Sequence, residues 1–451
     1  MKTPLRSMAL SALVGAALAL YAQVAAAPFA PLTPAGAAAS QYVPGEVLVK
    51  FKPTASTQEH LAAMAAMAAR GHSVVASLNQ PGWAQVKVGA GQTMETALTA
   101  YRNDPNVEYA QPNYIYHATA VPNDTQYGQL WAFKNTGQPI NPNTYTPNAG
   151  TAGDDMNIEP AWGHITDCSD VVVAVLDTGV NYTHQDLAAN MWNGSPNHGH
   201  DFVDNDDDPM DLEGHGTHLA GIIGAEGNNS TGTTGVCQKA RIMAVRVLDA
   251  LGNVTTATAL LGIGFAVANG AKVINMSFVG GGSFDPAFSD AITSAQNRDV
   301  VVVVVAGNEN QDNDAAGARY PCNFIQPNLV CVAALDQNYA LASFSSWGAT
   351  SVDVGAPGTN ILSTWAGAAL GNTSYNTISG TSMASPEVAG LAAMLRAYNP
   401  QYTYADTVGA IKNGGRSVLA LVNKTTTGKA VDVMSSLAYI NPPKGLAATV
   451  Q

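Results

Sequence analysis

Apolar and polar positions follow two rhythms along the 451-residue chain. Over residues 45–52 the period is two, with Val47, Val49 and Phe51 on one face, which predicts a half-buried strand. Residues 54–70 are Ala- and Met-rich with helical spacing, and Gly71 ends them. Residues 74–78 and 84–88 read as strands around Pro81-Gly82, 93–102 as a helix, and 107–110 as a last short strand. The order βαββαβ suits a small ferredoxin-like α+β domain. Beyond residue 118 the period-two pattern gives way to nearly continuous apolar runs at 171–176, 242–247, 273–276, 300–306 and 330–334, rich in Val and Ile. Strands buried on both faces look like this, and stretches of helix length at 216–225, 255–269 and 285–297 separate them. The expected architecture is a three-layer α/β domain with a mostly parallel central sheet, preceded by the small α+β domain. In such sheets chemistry gathers at the carboxyl ends of the strands.

Composition sharpens this picture. Hydrophobic residues make up 46% and charged residues 12%, with 43 Gly, as in a tightly packed, turn-rich chain and unlike a disordered one. Net charge is −13, yet no Lys/Arg cluster exists, which excludes nucleic acid as an expected partner. The acid gathers in one run, Asp201 to Asp211, which points to local ion binding. Residues 1–26 have the form of an export signal: Lys2 and Arg6, an apolar stretch at 8–21, then Val24-Ala25-Ala26. No later segment holds 18 unbroken apolar residues, so a secreted protein without stable membrane association is expected. Residues 27–40 are small and Pro-rich, a linker, and 441–451 form a short tail. Four cysteines in an exported chain suggest two disulfides with three possible pairings. Cys168–Cys237 and Cys322–Cys331 are favoured: the second pair flanks a short loop, and the first would meet if the strands that follow are parallel neighbours.

Three segments carry candidate chemistry. Asp177 ends the apolar run VVVAVLD; His215, in GHGTH, opens a small-residue helix; Ser382, in SGTSMASP, opens a long apolar one. A Ser hydroxyl is a poor nucleophile until an imidazole takes its proton, and the imidazole needs a buried carboxylate to fix its tautomer. A helix start also favours developing negative charge. His218 lies three residues after His215, but the Glu of an HExxH zinc helix is missing, so a packed helix residue is expected. The chain order Asp, His, Ser is that of subtilisin.

The blocks VVVAVLDTGV, GHGTHLAG and SGTSMASPEVAG, with VVVVVAGNEN at 301–310, resemble the signature blocks of the subtilisin-like serine peptidases, and thermitase-like members in particular. The resemblance spans about 122–440 and implies a serine endopeptidase that cleaves proteins through an acyl-enzyme. By it, Asp177 orients, His215 is the general base, Ser382 attacks, and Asn308 with the Ser382 N–H holds the oxyanion, Thr381 supporting Asn308. Substrate would lie between the edges Ser277-Phe278-Val279 and Gly252-Asn253-Val254, with the P1 pocket bounded by Val305, Ala306 and Gly307. Val279 and Val305 stand where smaller residues are usual, and Glu387 where His is usual. No acidic pocket for paired basic residues is evident.

The resemblance also implies structural Ca2+. One site would use Asp201, Asp204, Asp206, Asp208 and Met210, the last two through carbonyls. A second would use Asp186 and Asn229, with the carbonyls of Thr231 and Thr233, closed by Asp124. Residues 41–117, with VPGEVLVKFKP and NVEYAQPNYIYHA, resemble the inhibitory prodomains of the family, so the chain's own propeptide is an expected partner and inhibitor beside protein substrates. Cleavage within 117–121 would free a catalytic domain spanning 118–440, a monomer as most of the family are. Two other readings are a catalytically dead secreted scaffold on this fold and an esterase-biased hydrolase.

Overall fold

The computed structural model describes residues 42–52, 65, 67–78, 82–114, 121–140, 148–315, 317–366 and 371–440. The expected signal, linker and tail, most of the helix at 54–70 and residues 117–120 of the expected cleavage region lie outside these.

The N-terminal region is one antiparallel sheet of β1 (Tyr42–Phe51), β2 (Ser73–Ser77), β3 (Trp83–Lys87) and β4 (Val107–Tyr114), in the order β2-β3-β1-β4. Helix α1 (Met94–Arg102) starts at Thr93, whose hydroxyl accepts the Thr96 N–H. The alternation in β1 buries Val47 and Val49 against Leu98 and Tyr101 of α1. The strand order and α1 are those of the expected ferredoxin-like domain, with β4 running to Tyr114 rather than stopping at 110.

Small elements open the second region: β5 (Pro139–Ile140), β6 (Asn148–Ala149) and α2 (Glu159–Trp162). Its sheet is built from β7 (Asp167–Asp177), β8 (Gly199–Asp201), β9 (Lys239–Arg246), β10 (Val273–Met276), β12 (Val301–Val305), β14 (Leu329–Leu335), β15 (Val354–Pro357), β18 (Arg416–Ser417) and β19 (Lys429–Ala430). The order is β18-β19-β15-β14-β12-β10-β7-β9-β8, parallel except for β18 at the edge. Two short pairs flank it, β11 (Gly280–Gly281) with β13 (Arg319–Tyr320) and β16 (Ile361–Trp365) with β17 (Ser374–Ile378).

Both faces of the sheet are covered. Val173, Val175, Val301 and Val303 point into a core shared with α3 (His215–Gly224), α6 (Thr381–Tyr398), α7 (Tyr404–Gly414) and α8 (Val433–Ile440). Their neighbours Val172, Ala174, Leu176, Val302 and Val304 point the other way, towards α4 (Thr256–Ala268) and α5 (Pro286–Gln296). That double burial is why these strands read as unbroken apolar runs. Helix α6 is buried from Met383 to Arg396, so it shows no polar stripe.

Both favoured disulfides form, Cys168–Cys237 and Cys322–Cys331, and β7 and β9 are parallel neighbours as that pairing required. No helix among the described residues is long and apolar enough to cross a membrane.

Candidate active site

Asp177 is the last residue of β7, and its main-chain oxygen accepts the N–H groups of Val247 and Leu248 beyond β9. Its side chain is fully buried, and Oδ1 accepts the Thr178 N–H at 2.8 Å and the His215 Nδ1–H at 2.7 Å. Oδ2 is buried and takes no hydrogen bond among the described residues. His215 opens α3, preceded by Gly214 at φ 122°, where a Cβ would lie 2.4 Å from Ala366 O. Only glycine brings the chain that close to β16 in that conformation. The imidazole side chain is 25% exposed. Burial pulls its pKa down, but the charge and hydrogen bond of Asp177, with Glu213 and Asp211, outweigh this and push it up to about 9.

Ser382 is the second residue of α6, which packs on α3. Its Oγ donates to Ser277 O at 3.3 Å, and Ser277 Oγ donates back to Ser382 O at 3.3 Å. Among the described residues no hydrogen bond joins Ser382 to His215, so the hydroxyl here is turned to the end of β10 rather than to the imidazole. Asn308 follows β12. Its Oδ1 accepts both the N–H of Thr381, at 2.8 Å, and its hydroxyl, at 3.0 Å, which leaves Nδ2 as the outward donor. Nδ2 and the Ser382 main-chain N each lie 3.6 Å from one point beside Gly380, so the two donors border one small space.

A groove of about 400 Å³ brings Gly252, Asn253 and Val254 opposite Phe278, Val279 and Gly280. Ser277, Val305, Ala306 and Gly307 do not line it; Val305 and Ala306 are buried at the end of β12. Gly307 sits at φ 106°, and Val279 Cγ1 lies 3.6 Å from where a Cβ there would stand, so Val279 and Gly307 are neighbours at that end of the site.

The two candidate cation sites differ. Asp186 is fully buried; its carboxylate accepts from Asn229 Nδ2, Thr233 N and Tyr375 Oη, while Asp124 accepts the N–H groups of Asn228 and Asn229. Burial, with the nearby charge of Asp124, pushes Asp186 up to about 6, against hydrogen bonds that lower it. No Lys or Arg bonds to either carboxylate among the described residues, so the donor set fits a cation. In the acidic loop, by contrast, Asp201 and Asp204 share Arg246 Nη1 at 2.5 Å, and Asp208 accepts from Tyr182 Oη at 2.8 Å. Asp206 Oδ1 accepts the Asp208 N–H, and Met210 is half-buried beside it. The arginine already balances the first two carboxylates, so this loop fits a cation less well. Among the described residues no three His, Cys, Asp or Glu side chains close on one point, and either place would need amide and carbonyl oxygens as well.

His218 is buried as expected and bonds to Ile361 O and Asn376 O. The main charges that raise the His215 pKa are Asp177, Glu213 and Asp211, and Glu387 is not one of them. Sequence reasoning missed Asp211, placed at the end of the acidic run. It is 3% exposed and accepts five hydrogen bonds around His215. Its only mark in the sequence is a position four residues before that histidine.

Comparison with known proteins agrees with the geometry. Residues 169–433, more than half of the chain, match the model of the subtilase family, and residues 30–113 match the fervidolysin N-terminal prodomain. A thermophilic serine proteinase of Bacillus sp. (strain AK1) is 41% identical over 359 residues, covering 78% of each chain. Thermitase of Thermoactinomyces vulgaris is 43% identical over 235 residues, covering 52% of this chain and 77% of its own. A solved protease of Pseudoalteromonas arctica superposes with a TM-score of 0.59 at 31% identity, covering 71% of this chain and all of that one. With a doubly covered parallel sheet, an Asp–His pair at its carboxyl end and a prodomain ahead of it, the chain belongs to the subtilase family of serine proteases.

Proposed function

We propose that this serine endopeptidase works through Asp177, His215, Ser382 and Asn308. Ser382 Oγ leaves the Ser277 carbonyl, gives its proton to His215 and attacks the scissile carbonyl carbon. His215 then protonates the leaving amine, and water repeats the sequence to release the acyl group. Asp177 holds Nδ1–H and stabilises the imidazolium, while Asn308 Nδ2 and the Ser382 N–H receive the oxyanion. The observation that carries this reading is the 2.7 Å bond between His215 and a fully buried Asp177, with Ser382 on the helix packed against it.

Substrate would add as a strand between Gly252-Asn253-Val254 and Ser277-Phe278-Val279, with Val279 narrowing the P1 end near Gly307. Residues 41–117 would act as propeptide and inhibitor, cut within 117–121 to free 118–440. A structural Ca2+ would be held by Asp124, Asp186 and Asn229. Secretion by way of residues 1–26 fits the relatives, one of them an extracellular protease of Xanthomonas campestris.

The test compares wild type with Ser382→Ala for mass and casein cleavage. The wild type should lose its first ~120 residues, as the domain lengths imply, and cut casein. Ser382→Ala should keep its propeptide and cut nothing. Normal maturation of Ser382→Ala would remove that residue from the mechanism.

A further inference from the structure

We infer that Asp211 is a positioning residue: it ties the strand end that carries Asp177 to the helix start that carries His215, and so fixes the bond between them. The inference rests on the roles proposed above for those two residues.

Asp211 Oδ1 accepts the Thr178 hydroxyl at 3.0 Å and the N–H groups of Glu213 and Gly214 at 2.9 Å each. Oδ2 accepts the Thr217 N–H at 2.9 Å and its hydroxyl at 2.6 Å. Those donors lie on both sides of His215 in the chain and, through Thr178, directly beside Asp177. The clamp closes a second time, because Thr178 Oγ1 accepts the Gly216 N–H at 2.9 Å. Five donors converge on its two oxygens and leave no room for a proton on the carboxylate. A neutral amide would set an NH2 group against at least one of these donors. The imidazole faces a small set of charges: Asp177 on β7, Asp211 and Glu213 in the turn before α3, and His218 one turn along α3, which burial holds neutral at a pKa of about 3. Asp211 therefore contributes to both the place and the basicity of His215.

The test uses mature enzyme in excess calcium, with slow-maturing variants freed of the propeptide by added wild type. Asp211→Asn should lower kcat on a peptide substrate by about tenfold to a hundredfold with KM within about twofold, as misplacing a catalytic group does. The pH at which kcat/KM reaches half its alkaline plateau should also move down. Should Asp211→Asn not fold, the Thr178 pair decides: Thr178→Val breaks both links and should lose kcat in the same way, while Thr178→Ser keeps them and should restore it. Wild-type kcat and pH profile in folded Asp211→Asn, or equal losses in the two Thr178 variants, would overturn the inference. His215→Ala separates the levels. If it still cleaves, the catalytic assignment itself fails; if it is dead while Asp211→Asn is fully active, only the clamp falls.

Discussion

Glu387 lies on α6 five residues after Ser382, 1% exposed, with Oε2 free of any hydrogen bond among the described residues. It borders a cavity of about 10 Å³, room for one water, against Trp131, Ile222 and Leu362, and no other residue lining that space titrates. Burial raises its pKa well above the ordinary carboxylate value, so the folded protein holds this proton more tightly than the unfolded chain does. Stability is then lost as pH rises above about 4.5 towards the folded pKa, by at most ~1.4 kcal/mol per pH unit. Melting temperatures of wild type and Glu387→Gln, taken from pH 5 to 9, should diverge, with the variant gaining towards alkali. Parallel curves would mean that Glu387 is already ionised. His215 has the same sign for stability, since its raised pKa makes the Asp177 pairing strongest below about 6.5 and lost through about 9. On the mechanism proposed, activity should run the opposite way, because His215 must be neutral to act as the base. Alkaline pH should thus favour the proposed reaction while loosening the fold around it.

At the scale of elements, the loop after β7 and the loop at 227–233 meet through Asp186, Asn229 and Thr233, and the segment entering the catalytic region joins them through Asp124. A cation there would tie a strand end, a loop and a chain entry together. Chelation should lower the melting temperature before it changes kcat; at free ion 100-fold above Kd the tie is worth about 2.7 kcal/mol. An unchanged melting profile in chelator would rule the site out. Legibility in the sequence follows burial at this scale. Strand β10 spans the very residues its apolar run marked, and α3, α4 and α5 differ from expectation by about one residue, within ordinary boundary scatter. Strand β15, with the sequence VGAP, the β16–β17 pair and β8, which ends at the first residue of the acidic run, carry no such run and were not foreseen. Asp177 and His215 were legible because side-chain chemistry marks them, and Asn308 with Thr381 through the resemblance of their sequence blocks. The Asp211 clamp and the Ser382–Ser277 exchange were not, because most of their bonds run to main-chain atoms, which any residue supplies.

Over the whole molecule, the sheet separates a bridge that holds the fold from the residues proposed for the reaction. Asp177, Ser277 and Asn308 stand at or just past the carboxyl ends of β7, β10 and β12. Cys168 stands near the amino end of β7, bonded to Cys237 just ahead of β9. Nine residues of extended chain put Asp177 roughly 30 Å from that bridge. The bridge closes a separation of 69 residues, worth about 4 kcal/mol in the chain-entropy account. Removing this bridge alone, as Cys168→Ser with Cys237→Ser, should therefore lower the melting temperature while kcat at 25 °C stays that of the intact enzyme; a matching loss of kcat in still-folded protein would show the two ends to be coupled. Without it, each molecule would keep its pace and simply last for less time. The bridge works as a clock on the enzyme's lifetime, set at the far end of the strand from the bond it cuts.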